Sequence, residues 1–398
     1  MLKNRMFRNV LIGIGVCALM FTAIGQVRAQ EDLQRKLETY LQVLDIVKND
    51  FVEKKVDDQK LVYGSIKGML EALGDPYTRF VDPDAFKEMK VRMSGNYSGI
   101  GIYIGMKHSQ ICVIAPIEGT PAYKAELKAG DKIMSIGEKP TKDMALEEAV
   151  SLIRGPKGSK VKLGISRNGW KDPKNFEIMR AKIEIKSVES KTFDDDIAYI
   201  KLNTFENLNA AADFEKALRK VKNSSGLIVD LRNNGGGLLQ NAIDIGSMFV
   251  EKGMIVQTVD REGKREQIET TGRVLWRKPT VLLINEASAS ASEIMAGALR
   301  DNKVAKLVGT KTFGKASVQN VRRLNDGSAL LVTIAKYLTP SGEDINKKGI
   351  APDIEVSIPT QEAESEIGAK LPTEKDPQLK KAIEEIKALI KERANGQV

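Results

Sequence analysis

Three serines alternate with alanines in the stretch ASASASEI, which contains Ser288, Ser290 and Ser292. The preceding run, TVLLIN, has the β-branched and leucine content of a buried strand, and the following residues place apolar side chains at helical spacing. A helix N-terminus presents free backbone N–H groups and the positive end of the helix dipole. Such groups can stabilise an oxyanion, so a nucleophilic serine at this turn would be well placed for acyl transfer.

A serine nucleophile needs a base to take its proton, and histidine is the usual one. The chain has one histidine, His108, which lies far in sequence from the serines among residues typical of a turn. A lysine can replace histidine if its amine is neutral, which requires a pKa well below the usual value of about 10.4. Lys315 in TFGKASV has apolar neighbours, so burial is expected to lower its pKa.

Each motif also has a simpler interpretation. Alternating serine and alanine can form a tight entry into a helix, with serine as the N-cap residue. A single lysine is usually a solvated surface charge. The occurrence of both motifs in order is what favours catalysis.

Together, ASASASEI and TFGKASVQ resemble the motifs of the carboxy-terminal processing (tail-specific) proteases, which are serine–lysine peptidases with a PDZ domain. The resemblance implies that Ser290 is the nucleophile, Lys315 the general base and Gln319 the residue that supports the lysine. Their separation of four residues predicts that Lys315 and Gln319 share one face of a strand or helix. The family usually has glycine where this chain has Ala316, so strain is expected there if the position requires a positive φ.

A second glycine-rich segment, DLRNNGGG, follows one predicted strand and precedes a helix. The run Gly235–Gly237 allows a backbone to approach a ligand closely, and phosphate binding is one general interpretation. The segment lacks the ending of a P-loop and the spacing of a dinucleotide fingerprint. The resemblance implies instead that Gly236 and Ala291 donate the N–H groups of an oxyanion hole. The residues expected to hold this loop rather than react are Asp230, Arg232 and Asn233.

Residues 92–185 resemble a PDZ domain, with SGIGIYIG, AELKAGDKIMSI and EEAVSLIRG in order. The Gly-x-Gly loop would present N–H groups to a terminal carboxylate, and the bound peptide would extend the open edge of a strand. The expected peptide-binding residues are Gly99, Ile100, Gly101, Ile102 and Arg154. Arg154 either complements the C-terminus of the preceding helix or couples bound peptide to the protease domain. The PDZ domain would either block the active site until a tail binds or act only as a tether.

Residues 1–29 resemble an export signal, because the basic residues Lys3, Arg5 and Arg8 precede an apolar stretch at 10–25 and a small-residue site ends at Ala29. An uncleaved membrane anchor is the alternative. Of the two cysteines, cleavage would remove the first and leave Cys112, so no intrachain disulfide is expected.

Three further regions complete the predicted organisation, which is that of an α/β multidomain protein. Residues 30–91 form an N-terminal helical region that resembles the family's dimerisation region. Residues 186–360 alternate strands and helices, and the resemblance implies a ββα protease core like that of the crotonases and the Clp peptidase. Residues 361–398 combine a polar linker with an amphipathic helix that packs on its own chain or on a second copy. The PDZ domain between them is expected to be β-rich with two helices.

We therefore expect an exported serine endopeptidase of the bacterial periplasm or cell envelope. It would recognise protein C-termini through its PDZ domain and cleave near them through an acyl-enzyme. The expected partners are protein or peptide C-termini and a second copy of the chain, with membrane attachment only if the signal segment is retained. The sequence has no cluster of metal ligands and no basic cluster interleaved with aromatic residues, so no metal, other cofactor or nucleic acid is expected.

Two other functions fit parts of the sequence. A PDZ adaptor with an inactive protease body would deliver protein tails to another protein, but the presence of Ser290 and Lys315 argues against it. A crotonase-like enzyme would use the glycine loop for an acyl-thioester substrate. The export signal argues against that enzyme, because such thioesters are cytosolic.

Overall fold

The computed structural model describes residues 32–107, 110–117, 119–144, 146–184, 186–193, 196–357 and 376–396. The predicted signal segment, His108 and the predicted linker at 361–375 lie outside the described residues. The chain divides into two compact units, Met1–Met69 and Leu70–Val398. Within the described ranges, no helix has an apolar run long enough to cross a membrane.

The helices of the described ranges begin in the N-terminal region, as predicted. In chain order they are α1 (32–50), α2 (Asp58–Glu71), α3 (Pro83–Met93), α4 (Pro121–Lys124), α5 (Leu146–Ile153), α6 (Ala210–Lys220), α7 (Leu239–Ser247), α8 (Ala291–Asp301) and α9 (Pro377–Ala394). Helix α3 begins with an N-cap, because the side chain of Asp82 accepts a hydrogen bond from the N–H of Ala85.

The strands fall into four sheets. Those up to the end of the PDZ region are β1 (Arg79–Val81), β2 (Asn96–Gly99), β3 (Ile102–Lys107), β4 (Gln110–Pro116), β5 (Lys132–Ile136), β6 (Lys139–Pro140), β7 (Lys160–Ser166), β8 (Lys174–Met179) and β9 (Ala181–Glu184). The remaining strands are β10 (Val188–Phe193), β11 (Ile197–Leu202), β12 (Gly226–Asp230), β13 (Met254–Asp260), β14 (Arg265–Glu269), β15 (Thr280–Ile284), β16 (Lys306–Gly309), β17 (Ser317–Arg323), β18 (Ala329–Leu338) and β19 (Ile354–Glu355).

The PDZ region is β-rich and contains two helices, as expected. Its main sheet has the order β3-β4-β5-β7-β8, with β6 paired to β5. Strand β3 therefore lies at an edge of the sheet, and α5 packs beside it. A separate buried cluster that includes Ile111, Leu163 and Ala149 forms the core of this region.

The protease core is built on a sheet of order β10-β11-β12-β15-β16-β19, in which β10 is antiparallel and the other neighbours are parallel. Successive side chains point to opposite faces, so Ile200 packs in the cluster with α6, α7 and α8, whereas Tyr199 packs in the cluster with α9. Burying each such side chain contributes about 1.5–3 kcal/mol. The mixed α/β class is thus confirmed, and the final helix packs on its own chain.

The loops that follow the parallel strands β12, β15 and β16 leave the same edge of this sheet. In open α/β sheets, ligands bind outside the carboxyl ends of such strands. A second sheet, of order β1-β18-β13-β14 with β17 paired to β18, supplies the strand that follows Lys315. The predicted glycine loop, serine turn and lysine segment all belong to these connections.

Candidate active site

The predicted nucleophile, Ser290, differs from its two neighbouring serines in backbone conformation and in exposure. Ser290 is the N-cap residue of α8, with φ 56° and ψ −115°, a region that a non-glycine residue seldom adopts and that recurs at active sites. Ser290 is partly exposed, whereas Ser288 and Ser292 are fully buried. The Ser288 hydroxyl donates to the carbonyl of Leu231, and that of Ser292 to the carbonyl of Asn234, each at 2.8 Å. Ser288 and Ser292 therefore fix the turn, and Ser290 is left to face solvent.

A buried carboxylate joins the serine turn to the lysine segment. Glu293 is 0% exposed, and its Oε2 accepts from the backbone N–H groups of Ser290 and Lys315, both at 2.9 Å. Its Oε1 accepts from the N–H of Gly314 at 2.7 Å and from the hydroxyl of Thr312 at 2.6 Å. Burial raises the pKa of Glu293, and these four donors oppose that rise. Glu293 thus holds the backbones of the serine and the lysine against each other.

A buried tyrosine makes a second link between the same two residues. Tyr337, in β18, is 1% exposed, and its hydroxyl hydrogen-bonds to the carbonyl oxygen of Lys315. The same hydroxyl lies 3.1 Å from the carbonyl oxygen of Ser290. The N–H and C=O groups of both predicted catalytic residues are therefore fixed from the buried side.

The environment of Lys315 favours its neutral form. Burial and the nearby charge of Arg79 lower the pKa of Lys315, while the carboxylates of Asp75, Glu206 and Glu293 act in the opposite direction. The lysine is only partly buried, so its amine remains within reach of solvent and substrate. This agrees with the expectation that burial lowers the pKa of this lysine, and its role as a base stays a prediction.

The N-terminal region contributes an aromatic ring to this lysine. The Nζ of Lys315 lies 4.5 Å from the centre of the Tyr77 ring. The ring is held because Thr78 donates to Asp75 at 2.7 Å and accepts from the N–H of Thr333 in β18 at 3.0 Å. The DPYT segment that follows α2 therefore lies at the candidate active site.

Gln319 makes different contacts from those expected. Its Nε2 donates to the hydroxyl of Ser317 at 2.8 Å, and no hydrogen bond to Lys315 occurs among the described residues. The register shift between Val318 and Gln319 leaves the extra residue, Ile334, on β18, so it does not interrupt the alternation of β17. The strand begins only at Ser317, so the strand alternation that was expected to bring the two side chains together does not extend to Lys315. Ala316, by contrast, does not adopt a positive φ, so the strain considered there does not arise.

The structure brings the two predicted oxyanion residues together. A Cβ atom on Gly236 would lie 2.8 Å from the backbone nitrogen of Ala291 and 2.9 Å from the Cβ of Ser290, so only glycine fits there. Ala291 is the first residue of α8, and its N–H has no acceptor in the described ranges. The N–H of Gly236 donates to the Oδ1 of Asn234 at 2.9 Å.

The residues expected to hold the glycine loop do so. The N–H of Asn233 donates to the side chain of Asn285 at 2.9 Å, and the side-chain amide of Asn285 donates back at 2.9 Å. Burial alone would raise the pKa of Asp230, but the guanidinium of Arg232 and further donors keep the pKa below its usual value. Neither charged side chain is available for chemistry, because both are buried against each other.

The PDZ loop has the form that carboxylate binding requires. The carbonyls of Ile100 and Gly101 accept from the N–H groups of Ala122 and Ile117, each at 2.9 Å. The N–H groups of Ile100 and Gly101 have no acceptor in the part of the chain that the structure describes. Gly101 has φ 80°. The remaining two predicted residues flank this loop, with Gly99 ending β2 and Ile102 beginning the edge strand β3.

Arg154 does not complement the end of the preceding helix. The carbonyls of Leu152 and Ile153 at the end of α5 accept from the guanidinium of Arg180, each at 2.9 Å. Arg154 instead forms an ion pair with Glu88 of α3 and lies 4.6 Å from the centre of the Tyr97 ring. That role at the end of α5 therefore falls to Arg180, and the coupling of bound peptide to the protease domain stays a prediction for Arg154.

Three residues with roles at the site escaped the sequence analysis, namely Glu293, Tyr337 and Tyr77. A signal exists for Glu293, because Ser290-x-x-Glu293 has the spacing of a capping box. The tyrosines carry no local signal, since their partners lie far away in the chain. Among the described residues, no group of three or more His, Cys, Asp and Glu side chains is placed to hold a metal ion.

Replacing Arg79 by glutamine is expected to raise the pKa of Lys315, because one neighbouring positive charge is lost. The acid limb of the kcat/KM profile then moves to higher pH, since less lysine is neutral at a given pH. Because Arg79 is exposed, activity at neutral pH should fall only about two- to fivefold and recover at high pH. A kcat/KM profile from pH 6 to 10 measures this. Arg322→Gln is the matched control, and an unmoved limb in Arg79→Gln would contradict the assignment of Lys315 as base.

Comparisons with known proteins agree with these observations. The model of peptidase family S41 matches residues 196–356, the PDZ domain model matches 88–166, and the N-terminal domain model of the activating protease CtpB matches 21–85. The carboxy-terminal processing protease CtpA of Bacillus subtilis is 39% identical over 316 residues, which cover 79% of this chain and 67% of the relative. The carboxyl-terminal-processing protease of Synechocystis sp. is 38% identical over 322 residues, which cover 79% of this chain and 75% of that relative.

A solved structure gives the same result. The photosystem II D1 C-terminal processing protease is similar with a TM-score of 0.50 and 31% sequence identity. The similarity covers 80% of this chain and 86% of that protein.

Proposed function

Since the chain belongs to the carboxy-terminal processing proteases of peptidase family S41, we propose that it is an exported serine endopeptidase that binds protein C-termini in its PDZ groove and cleaves near them with a Ser290–Lys315 dyad. The observation that carries this proposal is the double link between the two residues. Glu293 binds their N–H groups and Tyr337 binds their carbonyls, while the serine is partly exposed and the pKa of the lysine is lowered.

The proposed reaction uses a neutral lysine. Lys315 takes the proton of Ser290 as its Oγ attacks the scissile carbonyl carbon, and the carbonyl oxygen becomes an oxyanion. Lys315 then gives the proton to the leaving amine as the C–N bond breaks, which leaves an acyl-enzyme ester on Ser290. Water, deprotonated by the same amine, attacks the ester and frees the serine.

The oxyanion would be stabilised by the N–H groups of Ala291 and Gly236. Each such donor contributes about 3–4 kcal/mol to the stability of the transition state. A backbone N–H can be shared between two acceptors, so Gly236 can serve the oxyanion while Asn234 keeps the loop in place.

Peptide binding by the PDZ region is supported by an open strand edge. Among the described residues, strand β3 has a hydrogen-bonded neighbour on only one side, so a peptide can pair with the other. Helix α5 stands beside that edge, and the free N–H groups of Ile100 and Gly101 lie at its start. A terminal carboxylate is the ligand that two such N–H groups favour.

A continuous set of contacts supports coupling between this groove and the catalytic loop. Arg154 pairs with Glu88 of α3, and the carbonyl of Met93 at the end of α3 accepts from the N–H of Leu208 at 2.9 Å. Three residues earlier, the N–H of Phe205 donates to the carbonyl of Gly236 at 2.9 Å. A displacement of α3 on tail binding would therefore reach the oxyanion donor.

The test compares two substrates that differ only at the terminus. An unstructured polypeptide with a free C-terminal carboxylate and the same polypeptide with a C-terminal carboxamide are titrated against the intact protein. We expect kcat/KM to be at least about tenfold higher for the carboxylate, because the amide cannot accept charge-assisted hydrogen bonds from the loop. Equal values would contradict tail recognition while leaving the peptidase assignment intact.

Arg154→Ala tests the coupling within the same experiment. If the PDZ domain gates the site, this variant should respond less to a tail peptide added in trans, with unchanged basal cleavage of a short peptide. Equal stimulation of the variant and the wild type would leave the PDZ domain as a tether.

Homodimer formation and export complete the proposal. Helix α1 exposes a stripe of large apolar side chains, with Leu37 54% and Leu41 59% exposed, which suits a second copy of this chain. Light scattering of the wild type and of Leu37→Glu/Leu41→Glu should give dimer and monomer masses, and a monomeric wild type would refute the dimer.

Amino-terminal sequencing of the exported protein tests cleavage after Ala29, whereas retention of Met1 would indicate an anchor.

A further inference from the structure

A buried ionic cluster ties the glycine loop to the final helix. Arg232 is 7% exposed, and its Nε and Nη2 donate to the carboxylate of Asp230 at distances from 2.7 to 3.1 Å. The hydroxyl of Tyr199 donates to the same carboxylate at 2.7 Å. On the other side, Nη1 lies 2.7 Å from the Oδ2 of Asp376 and donates to the Oε1 of Gln378 at 3.0 Å.

Asp376 and Gln378 belong to the start of α9. The Oδ1 of Asp376 accepts from the N–H groups of Gln378 and Leu379 at 2.9 and 3.0 Å, which caps the helix. The Nε2 of Gln378 donates to the carbonyl of Val356 at 2.7 Å. Both residues are 2% exposed, so α9 presents a fixed amide oxygen that accepts from Arg232 and a fixed carboxylate that forms an ion pair with it.

Helix α9 does not need this cluster to remain attached. Its buried residues Leu379, Ala382 and Ile386 already pack against the sheet. A buried cluster of one arginine and two aspartates adds little to stability, because desolvation offsets the attraction between the charges. A buried ionic cluster is better suited to fixing one conformation of its side chains. Here the fixed side chain belongs to Arg232, which lies four residues before Gly236.

We propose that Asp376 and Gln378 are positioning residues for the proposed oxyanion loop, acting through Arg232. The inference rests on the proposed role of Gly236. Asp230 binds only one side of the guanidinium and also accepts from the N–H of Arg232 at 2.9 Å, so side chain and backbone share one anchor. The contacts with Asp376 and Gln378 on α9 hold the other side of the guanidinium. They keep the Arg232 side chain from rotating about Asp230 and displacing the glycine loop.

The experiment compares three variants of the full chain. Asp376→Asn keeps an N-cap residue but removes the charge facing Arg232, and Gln378→Ala removes the other acceptor. Ile386→Ala is the matched control, because it loosens α9 at a buried site away from the arginine. We expect kcat for an unstructured polypeptide to fall about 10- to 100-fold in Asp376→Asn, with KM within about threefold, because a small displacement of a catalytic group affects the transition state most.

Amide hydrogen exchange gives a readout that does not depend on activity. The amides of 233–237 should exchange faster in Asp376→Asn and Gln378→Ala than in Ile386→Ala, even where Ile386→Ala has the lower melting temperature. If Asp376→Asn does not fold, Gln378→Ala is compared with Ile386→Ala in the same two measurements.

Three outcomes would overturn the inference, and they differ in what they imply for the proposed function. Unchanged kcat with unchanged exchange would show that α9 does not position the loop. Faster exchange with unchanged kcat would also argue against the oxyanion role of Gly236. If kcat falls as much in Ile386→Ala as in Asp376→Asn, the ionic cluster only stabilises the fold and does not position the loop.

Discussion

Replacement of either Ser290 or Lys315 by alanine is expected to lower kcat for polypeptide cleavage by about 10⁴-fold or more, with the protein still folded. Ser290→Ala removes the attacking oxygen, and Lys315→Ala removes the only group proposed to take its proton. Because the two act as a unit, the double variant should lose no more than either single variant. Cleavage of an unstructured protein, with circular dichroism to verify folding, measures both effects.

The two neighbouring serines supply matched controls. Ser288→Ala and Ser292→Ala each remove one buried hydroxyl that donates to a carbonyl, and that of Ser288 also accepts from the N–H of Asn285, so each should cost about 1–3 kcal/mol of stability and leave kcat within about tenfold. Abolition of cleavage in one of them, with Ser290→Ala active, would move the nucleophile to that residue. Cleavage by none of the proteins, wild type included, would favour the PDZ adaptor.

A further variant separates general-base catalysis from simple electrostatics. Lys315→Arg keeps a positive charge, but a guanidinium does not become neutral in proteins. It should therefore be as inactive as Lys315→Ala. Substantial activity in Lys315→Arg would mean that this position supplies charge rather than accepting a proton.

The serine and the lysine could be predicted from the sequence because their chemistry is carried by local motifs. The strand–turn–helix setting of Ser290 follows from apolar patterning over a few residues, and the structure has β15 and α8 on either side of it. The apolar neighbours of Lys315 likewise indicated a lowered pKa, which burial indeed produces. Strands β12 and β15 are buried along their whole length, and their largely apolar runs are typical of parallel strands covered on both faces.

The roles that could not be predicted depend on contacts between distant segments. Tyr337 lies 47 residues from Ser290 in sequence, and its hydroxyl reaches the site only because β18 pairs with β17 behind it. Gln378 lies 146 residues from Arg232. The start of a strand is equally hard to place from the sequence: β17 begins at Ser317, after Lys315, and among the described residues Gln319 makes no hydrogen bond to Lys315.

Glu293 is expected to have the next largest effect, because one side chain holds the backbones of both proposed catalytic residues. In Glu293→Gln, an amide nitrogen replaces one oxygen and faces an N–H donor in either orientation. Each buried N–H left unsatisfied costs about 1–3 kcal/mol. Since the variant also frees one of the segments that carry Ser290 and Lys315, kcat should fall about 10²-fold. Urea unfolding and steady-state kinetics on the same preparation measure the two effects together.

Thr312→Val separates lost stability from lost positioning. It removes the hydroxyl that donates to Oε1 of Glu293 and accepts from the N–H of Ile350 at 2.7 Å, so it also destabilises the protein. It leaves the bonds from Oε2 to the backbones of Ser290 and Lys315 intact, so kcat should stay within about tenfold of the wild type. If both variants lose kcat in proportion to stability, Glu293 only supports the fold. If Glu293→Gln alone loses kcat at equal stability, the carboxylate aligns the nucleophile with its base.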